Sequence, residues 1–173
     1  EKLYTGRSTT REIGMISSMN DVQGYVISAG AGLVTFGTKI PAYESTFGKG
    51  KGPDYSQWHK LPLGGLSRLN VKEGDIIVTF ASPSYHRCIK SDPDFEKLAS
   101  QFVVAHTSPL SSHQGVTSVQ IHPRTAELLK VAYLDLNAEL LNLYLSGGIS
   151  RLNAIYRECE ELPPTTERKK ITY

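Results

Sequence analysis

Three short apolar runs constrain this chain most: Tyr25-Val26-Ile27, Ile76-Ile77-Val78-Thr79-Phe80 and Phe102-Val103-Val104-Ala105. Unbroken β-branched and aromatic runs of this length read as strands covered on both faces. Stretches with helical spacing separate them. The pattern therefore predicts an α/β fold, a three-layer sheet with helices on both faces. At 173 residues, one domain with a sizeable core is expected.

The intervening segments can be read in order. Thr9 with Glu12 fits a capping box, and Ile13, Ile16 and Met19 follow at helical spacing. Asp21 closes that helix, and a strand over 24–29 follows. Residues 30–53 are rich in Gly, Thr and Lys and predict a long loop, uncommon in compact domains unless it has a role. Asp54 caps a helix carrying Tyr55, Trp58 and Leu61, which Pro62 and Gly64-Gly65 interrupt. Leu66 and Leu69 form another turn. Residues 85–89 read as a short helix, and Asp92-Pro93 opens another. Residues 116–121 fit a short edge strand. Pro123 starts the longest helix, 123–146, whose apolar period includes Leu129, Tyr133, Leu136 and Leu140, and Gly147-Gly148 ends it. The expected organisation is a domain over 1–148, a C-terminal helix over 149–162 packed on it, and a tail over 163–173.

Charge and cysteine usage narrow the classes. A net charge of +2 is too weak to identify a nucleic-acid partner by itself. No apolar stretch approaches a membrane span, and no secretory signal opens the sequence. Cys88 and Cys159 form no CxxC pattern, so a reducing cytoplasm is the expected compartment.

The candidate site comes from the strand ends. The first strand runs into Ser28-Ala29-Gly30-Ala31-Gly32, and the chain then reaches Pro41-Ala42-Tyr43. The second runs into Ala81-Ser82-Pro83-Ser84-Tyr85. Each delivers a serine and then a tyrosine, and ligands of open α/β sheets collect at the carboxyl ends of strands. Ser28 and Ser82 can hold a phosphate or a base edge, or they can cap the strand ends and following helices. The tyrosines can stack on a base or pack as amphipathic core.

These elements resemble the YaaA (peroxide-stress) family and its uncharacterised relatives. The family carries a strand ending in an "LSGLYGVL" or "LSAKYGLL" type sequence, matched by residues 27–33, and then a "PY" element, matched by Pro41-Ala42-Tyr43. Tyr4-Thr5-Gly6 matches its upstream "YTG", residues 79–85 its downstream "NLASxEY", and Trp58 lies where a tryptophan is common. The match covers roughly residues 3–90. It departs at Gly30-Ala31, where the family has a bulky residue or Lys. The family's first strand would precede Glu1, and the expectation is that a native N-terminal piece, a strand, is missing from this sequence.

The resemblance implies an α/β fold with a central cleft, association with DNA and protection from oxidative DNA damage. For some relatives it implies an enzyme acting on nucleobases. On this reading the candidate catalytic residues are Ser28, Tyr43, Glu44, Ser82 and His106. Tyr4, Thr5, Gly6, Gly30, Gly32 and Tyr85 would bind the ligand, and Lys39, Lys49 and Lys51 would hold phosphate. The lysine loop also reads as an ordinary solvated loop. The expected partner is DNA or a nucleotide-like ligand, with no cofactor, metal or membrane. The leading function is a nucleic-acid-directed protein with a nucleobase or nucleotide pocket, as an enzyme acting on a base or its N-glycosidic bond. The alternative is a non-enzymatic DNA-binding stress-response protein.

Other chemistries fit poorly. Gly30-x-Gly32 lacks the third glycine of a dinucleotide site. No G-x-S-x-G elbow supports a serine hydrolase. Glycosidic cleavage wants a carboxylate beside an oxocarbenium-like centre, for which Glu44, Asp54 and Asp75 are available. His106 and His113 bracket HTSPLSSH without metal-ligand spacing, and His86 and Cys88 share no helical face. Surface or loop positions are expected for the histidines.

Overall fold

The structure is a computed structural model. It describes residues 7–40, 47 and 53–164, with side chains from residue 11 onward. The chain gives helix α1 (Arg7–Ser17), strands β1 (Tyr25–Ser28), β2 (Gly32–Thr35) and β3 (Ile77–Thr79), and helices α2 (Pro83–Lys90) and α3 (Phe95–Leu98). Strands β4 (Phe102–Ala105) and β5 (Thr117–Val119), then helices α4 (Thr125–Leu128) and α5 (Leu136–Glu160), complete it. The fold is mixed α/β, with a parallel three-stranded sheet and a small antiparallel pair.

The parallel sheet has β4 in its centre. Val78 pairs with Val103 on β4, and Val104 pairs with Ser118 on β5. Alternation along each strand sends side chains to two faces. Ile77, Phe102 and Val104 join one apolar cluster with Trp58, Leu66, Cys88, Ile89 and Phe95. Val78, Phe80, Val103 and Val119 join a second, against Leu140, Leu143, Leu152 and Ile155 of α5. Each face of the sheet thus carries its own apolar cluster. Helix α1 packs on the α5 side, where Arg11 forms an ion pair with Glu139. Ile76 and Phe80, both expected in this strand, fall just outside β3, and Ile76 is 60% exposed.

The expected loop over 30–53 contains a strand instead. β2 folds back on β1, pairing Val26 with Val34 and Ser28 with Gly32. The Ser28 hydroxyl accepts the Ala31 N–H at 3.0 Å and closes the turn. Gly32 has φ +102, and a Cβ there would fall 2.3 Å from the Gly64 carbonyl oxygen. That proximity lets the Leu33 N–H donate to Gly64 at 2.8 Å and the Leu63 N–H donate to Ala31 at 2.7 Å. The small residues therefore admit neighbouring backbone.

Asp92 reinforces the same loop. Its carboxylate is buried and accepts the Leu66 N–H at 2.9 Å and the Asp94 N–H at 3.0 Å. Asp54 is the predicted cap, accepting the Ser56 N–H at 2.8 Å, but the segment it opens, Tyr55–Lys60, is a 3-10 turn in place of the expected helix.

Two helical expectations are corrected. α1 opens at Arg7, ahead of Thr9, so the capping-box residues lie inside the helix. The helix expected over 123–146 is broken: α4 ends at Leu128, Lys130 adopts φ +54, and a 3-10 turn Tyr133–Asp135 precedes α5. Leu128 and Leu129 still pack on the second cluster, while Tyr133 is 81% exposed. Gly147-Gly148 interrupts α5 where the sequence ends its long helix: both residues leave helical geometry, Gly148 at φ +62, ψ −154, and a second helical segment runs on to Glu160.

Candidate functional site

Two strand edges face one space. Among the described residues β1 pairs only with β2 on one side, and β3 only with β4. Tyr25 and Ile27 from β1 and Ile77 from β3 nevertheless pack on the same cluster, with Trp58, Leu66 and Ile89. The hairpin and the parallel sheet therefore lie side by side under one helical layer. A cleft of about 830 Å³ runs between them, walled by Tyr25, Val26 and Ile27 on one side and Ile77, Val78 and Thr79 on the other. Trp58, Leu66, Tyr85 and Ile89 cover one face; Ile13 and Ile16 of α1 and Leu141 and Leu145 of α5 close the other. The volume falls in the range of small-molecule sites, and the lining combines apolar bulk with a few polar groups.

Beyond β3 the chain passes Phe80, Ala81 and Ser82 before α2, and all three line the cleft. Ser82 occupies the N-cap position with Pro83 next to it, which presets the helix start. Its hydroxyl makes no cap hydrogen bond. Tyr85, in the first turn of α2, also lines the cleft and meets Phe47 edge-on at 5.6 Å. The structure thus brings Ser82 and Tyr85 together.

Ser28 is placed differently. It is buried, its oxygen bonds within the β1–β2 turn, and it does not line the cleft. Gly30 and Gly32 belong to that same turn, away from the cleft wall. Lys39 is exposed. Tyr4, Thr5, Gly6, Tyr43, Glu44, Lys49 and Lys51 lie outside the described residues. His106 pins the ends of β4 and β5: its backbone N–H donates to Val119 at 2.8 Å, and its Nδ1 accepts the Ile121 N–H at 3.0 Å. It is not on the cleft wall.

The other expected surface histidines have defined work in the fold. His113 bonds Glu96 at 2.9 Å and the Gln114 carbonyl at 2.7 Å and stands edge-on to Phe95. His86 is buried, contrary to expectation, because α2 turns it toward β3 and the loop after β4. Its Nδ1 is 2.7 Å from Ser108 Oγ and its Nε2 3.2 Å from Thr79 Oγ1. Burial lowers its pKa to about 4, only partly offset by a hydrogen bond to the Thr79 backbone. Burial also pushes the Cys88 thiol up to about 12, which leaves it inert as a nucleophile near neutrality.

Among the described residues no three His, Cys, Asp or Glu side chains are grouped to hold a metal ion. No described helix is long and apolar enough to cross a membrane. Sequence reasoning missed Thr79, the last residue of its strand, which lines the cleft and whose hydroxyl oxygen lies 3.2 Å from His86 Nε2. Its place at the end of a β-branched run was the available signal. The floor made by α1 and α5 had none, because those residues read simply as helix core. No protein-family model, curated protein or solved structure matches the chain.

Proposed function

We propose that the cleft receives a nucleobase or nucleotide and that the chain is directed at nucleic acid. The observation that carries this reading is the meeting of Ser82, Tyr85, Trp58 and Thr79 around one hollow at the carboxyl end of a parallel strand. An α/β sheet offers ligands that position. A hydroxyl edge with aromatic walls suits a flat, polar-rimmed heterocycle. The YaaA-like resemblance supplies the DNA connection.

Base or N-glycosidic-bond processing is the enzymatic form of this proposal. An oxocarbenium-like centre needs a nearby carboxylate. Among the described residues Glu12, Asp21 and Asp75 line the cleft. Exposed Lys39, Lys60 and Arg68 favour the second reading, a DNA-binding protein without catalysis, through phosphate contacts.

Trp58 is the only tryptophan, so its emission reports on the cleft directly. Nucleosides and short single-stranded DNA should change that emission. Tyr85→Ala and Ser82→Ala should each weaken the response about tenfold, the worth of one stacking or hydrogen-bonding contact. Release of free base, seen by mass spectrometry, marks the enzyme; salt-dependent binding without product marks the binder. Silence of Trp58 toward every nucleoside at millimolar concentration removes both readings.

A further inference from the structure

The hydrogen-bond network around His86 fixes where one proton must go. Ser108 is buried, and its oxygen accepts the Leu110 N–H at 3.0 Å. If His86 Nδ1 carried a proton, Ser108 would accept twice. Its own hydroxyl proton would then be buried with no acceptor among the described residues, a state that costs about 1–3 kcal/mol. Ser108 therefore donates to Nδ1, and Nε2 carries the ring proton. That N–H faces Thr79, where the backbone carbonyl and Oγ1, 3.2 Å from Nε2, both meet it. Thr79 Oγ1 is also 3.4 Å from the Ala81 N–H. With its lone pairs facing two donors, Thr79 has its own O–H left to give, and the residue lines the cleft.

A second donor belongs to the same lining. The Trp58 side chain is fully buried at 0% exposure and borders the cleft, and its Nε1–H has no hydrogen-bond partner among the described residues. Buried donors are nearly always paired, so an orphan beside a cavity marks a missing acceptor.

We propose that the Thr79 hydroxyl and the Trp58 indole N–H are the paired donors that read the cleft's ligand. The ligand class follows: a flat, uncharged heterocycle presenting carbonyl oxygens or bare ring nitrogens as acceptors. The proposal rests on the cleft being a ligand site, and it does not require the ligand to come from DNA. His86 acts as a positioning residue by holding the Thr79 oxygen as acceptor.

The experiment compares thymidine, which carries two carbonyl acceptors, with its difluorotoluene nucleoside isostere, which keeps the shape and lacks strong acceptors. Binding is read by Trp58 emission and by the indole ¹H–¹⁵N resonance. Thymidine should bind the unaltered chain at least about tenfold more tightly than the isostere, the ratio expected for one good hydrogen bond. The indole resonance should move with thymidine only. Thr79→Val should remove about tenfold of the thymidine affinity and leave the isostere unaffected, while Thr79→Ser should restore it. Equal binding of the two probes, or an unmoved indole resonance in the thymidine complex, overturns the donor pair while leaving the cleft a ligand site. Binding of neither probe overturns the cleft reading and the donor pair together.

Discussion

At neutral pH the buried His86 ring is uncharged, because burial lowers its pKa from 6.5 to about 4. The sign of the linkage follows. Between those two values the unfolded chain takes up a proton that the folded chain refuses, so stability is complete above about pH 6.5 and drains away as pH falls toward 4. The loss should reach about 3 kcal/mol by pH 4 from this residue, at 1.36 kcal/mol per pKa unit. Urea midpoints measured at pH 7 and pH 4 in the chain and in His86→Gln should show the larger drop in the chain. Equal drops would mean that other groups govern acid sensitivity. Nothing in the local sequence betrays this environment. The partners Thr79 and Ser108 arrive from β3 and from the loop after β4, so only tertiary structure makes the histidine interior.

Two glycines in helices should respond in opposite directions to the same change. Gly148 sits at φ +62, ψ −154 inside α5, a region essentially closed to other residues. Gly148→Ala should destabilise by about 1–3 kcal/mol. Gly14 lies within α1 with open space around its Cβ position, so Gly14→Ala should stabilise by up to about 1 kcal/mol. Thermal melts of both variants check the pair; the same sign in both would refute the kink geometry. Elements with one strong signal were legible in the sequence. β3 and β4 announced themselves through β-branched runs, and α2 was found as a helix over 85–89 although it begins two residues earlier, at Pro83. β2 was hidden because Gly32-Leu33-Val34-Thr35 lies in a Gly- and Thr-rich stretch, and its strand character depends on pairing with β1. The break near Lys130 was hidden because no Gly or Pro stands there and the apolar period runs through it.

Across the molecule, burial divides the strands by neighbour. β4 is paired on both sides and its first three residues are buried, whereas β1 and β3 are paired on one side only among the described residues and line the cleft. Hydrogen exchange should therefore be slowest at Val103 and Val104 and at least about a hundredfold faster at cleft-facing amides of β1 and β3, since exposed strand edges open more readily. Equal protection throughout would mean that something already covers those edges. The sequence pointed to Ser82 and Tyr85 at the end of β3 because the serine and tyrosine follow an obvious strand. It could not relate them to Trp58 or Thr79, which meet them only when the 3-10 turn folds over the sheet.

The opposite margin of the sheet behaves otherwise. β5 ends the parallel array with Thr117 and Ser118 turned to solvent. Both edges of the sheet are short, which discourages accretion of further chains, but β3 is the apolar one. Should this protein ever polymerise through its sheets, growth would start at the β3 side, and a molecule bound there would act as an inhibitor of that process.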